Sequence, residues 1–553
     1  MTDTLHFVTG TPLSHGSRTR DEQSILADLA REQLDQRRRK FADDMAHKAV
    51  HAEQTEFFDA FFPNPQNTSD TPSRPQLHDN PFAALSDAEK PNEAVVRAAF
   101  TKAINDHDLV PGFKLRECGE RPDPSTLDPE RQKVDAAFFR NEHAPTDGRQ
   151  SWADQILPVE FKRDDVSVDP FDDEKVNIST DTKDRRKVRG QIISYAELVY
   201  AVQHRVALFM LVVVGVNVRF VRFDRSGAVV TRALNYVNNW EIFCDILWRI
   251  GQCSDTQLGL DPTATRLYPG EPDFVRMCSY ARSRDNDVDE KERDLKPGEL
   301  PEKLVFKYVR AMFIAAVRSP WPRYRLEVPD GSSTRNFLVA KPTFRARGMA
   351  GRGTRGYVAL DCATGEFVWL KDACIQTTEV ARDAWRAQYL LVEKEGDVLS
   401  MLNQAGVQNV PTLICHGDIA GQETLTPKWW EDKHARATNL ASSQSAGRVS
   451  SASPSSSASS GALKRRHDDE RSEDSVASPK GVDDGTGTGA SGSQDKYPLR
   501  LHQHYRLVEK EVCISLEKFE NGLQLVSLVL DGLIGMHPCF FVLILVGSTI
   551  YSA

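Results

Sequence analysis

The sequence predicts an α/β domain over about 85–265 followed by an α+β domain over about 335–535, the latter interrupted by a disordered insertion. Three observations predict it. Val206 to Val214 is an unbroken apolar run directly after a stretch of helical spacing, the pattern of a strand covered on both faces. Glycines 351, 353 and 356 stand before a strand-like run, and Val368-Trp369-Leu370-Lys371 forms the next one. Between Asn439 and Gln494 the chain is Ser-, Gly- and Asp-rich with almost no large apolar residue, too little to offset chain entropy. At 553 residues the chain is also too long for a single core.

The first 84 residues read as a helical and linker region. A charged, helix-permissive stretch from about 20 to 60 ends in Phe57-Phe58-Asp59-Ala60-Phe61-Phe62-Pro63, and a Pro/Asn/Ser/Asp-rich tether runs to about 80. Arg37-Arg38-Arg39-Lys40 reads as a solvated helix face, with a nuclear address as the alternative. Within the α/β domain a helix is expected from Asn92 to Asn105, strands at Val134–Phe139 and Ile156–Lys162, and a helix from Gly190 to Gln203. Val216, Val218 and Phe220 alternate with Asn217 and Arg219, and Asp224-Arg225-Ser226-Gly227 supplies a turn before Ala228–Arg232. That makes a β-hairpin, expected at the sheet edge. Residues 266–334 are expected to connect the two domains.

Composition narrows the function classes. Net charge is −9 with 27% charged residues, so whole-chain attraction to nucleic acid is not expected. The nine cysteines lack metal or disulfide spacing, which fits a reducing compartment. The N-terminus has no basic start and apolar run of a secretory signal, so cytosol or nucleus is expected.

The second domain carries the sharper chemistry. Gly351-Arg352-Gly353-Thr354-Arg355-Gly356-Tyr357-Val358 has the spacing of a loop that turns tightly over phosphates, and Lys371 ends the next strand within reach of them. A helix follows from about Ala381 to Gln404, with Leu391, Val398, Leu399 and Leu402 on one stripe and Glu395 among them. A carboxylate on an apolar face needs a partner, and Lys371 would be that partner. Val410–Ile414 and Tyr505–Val512 are expected to be the next two strands, the second leading into a hinge.

Trp369-Leu370-Lys371-Asp372, Asp383-Ala384-Trp385-Arg386, Asn409-Val410-Pro411 and the His504–Val512 segment together resemble the fungal-type protein kinase family. The resemblance runs over roughly 85–535 and implies a protein-kinase-like small lobe with a Ser-rich insert. Carried residue by residue, it implies ATP contacts at Gly351, Gly353, Gly356, Val358 and Lys371, with Glu511 at the hinge and Glu395 orienting the lysine. Mg²⁺ would accompany the ATP, and the implied reaction is phosphoryl transfer to Ser or Thr hydroxyls of proteins. No His-Arg-Asp or Asp-Phe-Gly segment follows, so the base and metal ligands of that reaction are missing and the chain as written is expected to be inactive. A scaffold or regulatory pseudokinase fragment is the alternative, with the protein partner unknown.

Asp135 followed by Glu160-x-Lys162 is the metal-binding pattern of restriction-endonuclease-like folds, with Gln191 and Glu93 as accessory groups. A metal-dependent nuclease is therefore a further alternative. The expectation here is a scaffold that keeps the fold without the activity.

Lys464-Arg465-Arg466 in the insertion is a short basic run, and Ser453-Pro454 and Ser478-Pro479 are candidate phosphorylation sites. Residues 536–553 are apolar but marginal for a membrane span of about 20 residues. The expectation is a chain end foreign to the fold, with a membrane anchor as the alternative.

Overall fold

The computed structural model describes residues 20–65, 74–86, 92–119, 121–123, 131–175, 182–289, 305–376, 394–435, 499–514 and 521–531. Expected features at 377–393, in the insertion 439–494 and in the tail 536–553 lie outside them.

The first sheet is built from β1 (Ala49–Ala52), β2 (Phe113–Glu117), β3 (Ala136–Arg140), β4 (Gln155–Lys162), β5 (Leu208–Val214), β6 (Asn217–Asp224), β7 (Gly227–Thr231) and β8 (Leu234–Asn235). Its order is β1-β7-β6-β5-β4-β3-β2, with β8 against β6. Helices α1 (Arg20–Asp44), α2 (Gln54–Phe61), α3 (Glu93–Asp106), α4 (Lys183–Val202) and α5 (Trp240–Gln252) cover it.

Strand β5 is buried at every position, as its unbroken apolar run requires. Phe209, Leu211 and Val213 join Phe57, Phe100, Phe161 and Phe243 on one side of the sheet. Leu208, Met210, Val212 and Val214 join Ile192, Tyr195 and Val199 of α4 on the other. The crossover through α4 makes β4 and β5 parallel, while β2, β3 and β4 run antiparallel in series.

The β6–β7 hairpin was expected at the sheet edge, but β1 pairs with β7 in parallel and covers it. Strand β1 has only four residues, and its support comes from α2, whose Phe57, Phe58 and Phe61 are buried in the core. The helix-and-linker stretch thus contributes a strand and an aromatic core segment.

The second sheet contains β9 (Ala264–Leu267), β10 (Arg323–Asp330), β11 (Ser333–Val339), β12 (Phe344–Arg345), β13 (Arg355–Asp361), β14 (Phe367–Gln376), β15 (Leu413–Glu423) and β16 (His502–Glu509). Its order is β15-β16-β14-β13-β11-β10-β9, so β16, the last strand among the described residues, inserts between β14 and β15. The sheet curls until β10 lies against β15. One face closes on Leu326, Val328, Phe337, Tyr357, Leu370 and Val508.

The other face is covered by α6 (Pro272–Tyr280) and α7 (Lys307–Arg318), and farther along by α8 (Glu395–Gln404). The segment expected only to connect the domains, 266–334, therefore supplies α6, α7 and β10. Residues 522–531 form α9, the last helix among the described residues. Among the described residues no helix is long and apolar enough to cross a membrane.

Candidate functional site

Lys371 and Glu395 come together as the sequence predicts: Lys371 Nζ donates to Glu395 Oε2. Lys371 lies on β14 opposite Gly356 of β13, and Val358 pairs with Trp369 two residues along, so these four share one face. Glu395 is the first residue of α8, where its charge suits the positive helix end. The next amide, Gly396 N, donates to Tyr505 Oη at 2.9 Å and so is not left unsatisfied. Glu395 was expected inside the apolar stripe; it stands at the helix start with a side chain 42% exposed, while Leu399 and Leu402 carry the buried stripe. Glu509, on the same face, is pushed up to about 7 by burial and by the neighbouring Glu395, with Lys371 opposing.

The rest of this face is filled by the chain itself. Val358 is 1% exposed and packs in one cluster with Phe313, Val309 and Met277 of α7 and α6. The ring of Trp369 lies so close to Gly356 that a Cβ there would sit 2.4 Å from Trp369 Cζ2. Tyr308 of α7 donates its hydroxyl to Val512 O at 2.9 Å, in the segment expected to be the hinge. Glu511, expected to meet the nucleotide, instead accepts from Thr412 N and Thr412 Oγ1, both at 2.7 Å. It ties the start of β15 to the end of β16.

The glycine-rich loop turns toward the β6–β7 turn of the first sheet. Gly351 N donates to Arg225 O at 2.8 Å, so an amide expected to cradle phosphate already has its acceptor. Arg225 donates to Gly348 O and Met349 O, both at 3.1 Å, and its guanidinium lies 4.5 Å from the Tyr200 ring centroid. Met349 is 2% exposed within the apolar cluster beside α4, a burial worth roughly 2 kcal/mol. Gly353 has φ +53, and a Cβ there would meet Arg225 Cζ at 2.4 Å, so both conformation and space favour glycine. Gly351 and Gly353 thus serve a contact between the loop and the first sheet with its helix α4. Gly356, Val358, Lys371 and Glu395 remain on the predicted face. As arranged, these residues do not fit ATP, because the adenine side is occupied and a loop amide is committed.

The structure also assembles an ionic centre that the sequence did not point to. Asp372, one residue after Lys371, is 1% exposed on the opposite face. It accepts from Arg355 Nη2 at 2.5 Å and Arg506 Nε at 3.1 Å, and it meets His504 Nε2 at 2.5 Å. Arg506 also pairs with buried Asp261 and donates to Glu327 O at 2.7 Å. The guanidinium of Arg355 holds the Asp372 carboxyl far below the usual range despite burial. Burial pushes His204 down to about 4, aided by Arg355, so it is neutral near pH 7. A cavity of about 30 Å³ adjoins this centre, with room for about one water. No spacing rule joins residues 204, 261, 355, 372 and 506, which is why sequence reasoning missed them.

In the first sheet, the predicted Asp135, Glu160 and Lys162 are brought together with Glu93 and Gln191. Lys162 Nζ donates to Glu160 Oε1 at 2.5 Å and Gln191 Nε2 to the same oxygen at 2.6 Å. Asp135 Oδ2 accepts from Phe161 N at 2.9 Å, and Asp135 Oδ1 from Arg97 Nη1 at 3.2 Å. Burial first, then Asp135, pushes Glu160 up to about 8. Glu93 is also raised by burial. Among the described residues, no group of three or more His, Cys, Asp or Glu side chains is arranged to hold a metal.

No curated protein and no solved structure matches the chain. A family model described as fungal protein kinase matches residues 133–541, spanning most of the α/β domain and the whole lysine-bearing sheet. That match covers well over half of the chain, so the protein belongs to the fungal protein kinase family.

Proposed function

We propose that this chain is a regulatory member of its family, a pseudokinase-type module that does not take up ATP in the arrangement seen here. One observation carries the reading. The Lys371–Glu395 pair of an active kinase lobe is formed, yet Trp369, Phe313 and Val358 fill the adjacent face. The family reaction, phosphoryl transfer from ATP to protein Ser or Thr, needs that face open and needs magnesium near it. The Gly351 amide would also have to leave Arg225 O before it could meet a phosphate.

The test is calorimetric titration of the full chain with Mg·ATP, alongside a phosphotransfer assay on a generic basic protein. The expected result is no saturable heat at millimolar ATP and no transferred phosphate. A micromolar dissociation constant, or phosphate transfer that disappears in Lys371→Ala, would overturn the reading.

A further inference from the structure

The cavity beside Asp372 adjoins the face of the second sheet opposite Lys371, and the kinase-type reading does not use it. Arg205, Arg225 and Arg355 line it together with Gly353, Asp372 and Cys374. Each of the three arginines is at least nine-tenths buried. Arg355 is answered by Asp372, and Arg506 by Asp372 and Asp261. The other two have only neutral acceptors among the described residues. Arg205 donates to the Gln203 side chain and to the carbonyls of Gln155, Ile156 and Leu258. Arg225 donates through Nη1 alone, to Gly348 O and Met349 O.

Buried positive charge is therefore in excess here. A guanidinium taken out of water without a countercharge is costly, and the neighbouring groups do not supply one. Glu197 is near Arg225 but pairs with Arg345. Asp224 accepts from Arg222 and from the amides of Ser226, Gly227, Leu425 and Thr426. Burial pushes the Cys374 thiol up to about 11, so it is neutral near pH 7. Glu423, on the cavity rim, is exposed to solvent. The free edge of Arg225 shows where the missing charge belongs. A Cβ on Gly353 would sit 2.6 Å from Arg225 Nε and 2.7 Å from Nη2, so the glycine leaves those two donors uncovered.

We propose that this cavity holds a chloride-sized monovalent anion, bound by Nε and Nη2 of Arg225 and by the positive field of Arg205 and Arg355. Size and charge both select that class. A volume of about 30 Å³ suits one water-sized group and is too small for a phosphate. Asp372 lines the same cavity and opposes a second negative charge. The anion sits where the β6–β7 turn, the glycine-rich loop and strands β13 and β14 meet. It binds the folded chain only, so its concentration sets how firmly the loop is held against the first sheet.

The experiment dialyses the full chain into sodium gluconate and replaces gluconate by chloride at constant ionic strength. Melting temperature is read together with the line width of the chloride nuclear resonance, which broadens when the ion is held by the protein. Wild type should show a saturable rise of roughly 2 °C or more by about 100 mM chloride. It should also broaden the resonance, and bromide should reverse the broadening while an equal concentration of phosphate should not. Arg225→Gln should lose both responses, whereas Arg282→Gln, at an exposed position, should keep them. If Arg225→Gln fails to fold, Gly353→Ala decides; it keeps the guanidinium, places a methyl group against its free edge and should lose the responses too. The proposal is overturned by a wild type that neither broadens the resonance nor melts differently in chloride and gluconate. Responses retained in the folded variant, or displacement of chloride by phosphate, overturn it equally.

Discussion

Lys371 and Asp372 are consecutive on β14 and serve opposite faces of one sheet. Lys371 reaches Glu395 on a half-exposed face, whereas Asp372 is enclosed by Arg355, His504 and Arg506. Strand alternation alone sends them apart.

Their stability effects should differ accordingly. Asp372→Asn leaves two buried guanidinium groups short of a countercharge and should cost about 3–5 kcal/mol. Lys371→Ala breaks a partly exposed pair and should cost less than about 1 kcal/mol. Urea denaturation of the two variants checks the order. Equal losses would mean that the Asp372 centre is solvated in solution.

The docked glycine loop predicts a proteolytic phenotype. Gly353→Ala meets both a positive φ and the Arg225 guanidinium, and Arg225→Ala removes two side-chain hydrogen bonds to the loop together with the guanidinium's contact on the Tyr200 ring of α4. Both should speed tryptic cleavage at Arg347 and Arg352. Gly351→Ala, at φ +104 in open space, should show only backbone strain of roughly 1–2 kcal/mol. Slower cleavage in Arg225→Ala than in wild type would show that the loop is not held there.

Closure of the lysine-bearing face is testable by opening it. Trp369→Ala removes the ring beside Gly356 and should give measurable ATP binding that the additional Lys371→Ala abolishes. Phe313→Ala should cost about 3–5 kcal/mol, as expected for deleting a fully buried ring. If Trp369→Ala binds nucleotide no better than wild type, the ring is not what excludes it.

Glu509 gives a pH dependence of defined sign. Its folded pKa is raised from 4.5 to about 7, so the native state holds the proton more tightly than the unfolded chain. The associated stability is fully present below about pH 4.5 and is lost as pH rises through about 7. Glu509→Gln cannot ionise and should flatten the fall in melting temperature across that window. An unchanged slope would place the titration on another group.

Much of the fold was legible because burial writes a period into sequence. The β5 run, the α4 spacing and the β6–β7 turn were readable from local pattern, and the observed strands lie within a few residues of them. Strand β1 was not, since four residues carry too little pattern. The Lys371–Glu395 pair was readable because a chemical requirement joins two positions near in sequence. The Asp372 centre was not, because it collects residues from 204 to 506 with no spacing between them.

The sequence by itself determined which residues are apolar, where the chain turns, which family it resembles and which lysine and glutamate pair. Tertiary structure alone decided which face each strand residue meets and what covers that face. Gly351 and Gly353 have the spacing of a phosphate loop, but Arg225 and Met349 turn that loop into a contact with the first sheet. Val358 and Lys371 have the spacing of a nucleotide bed, but Phe313 of α7 packs in one cluster with Val358. The reason is physical: an amide or an apolar face is satisfied by whichever partner the packed chain brings nearest, and local sequence does not encode that distance.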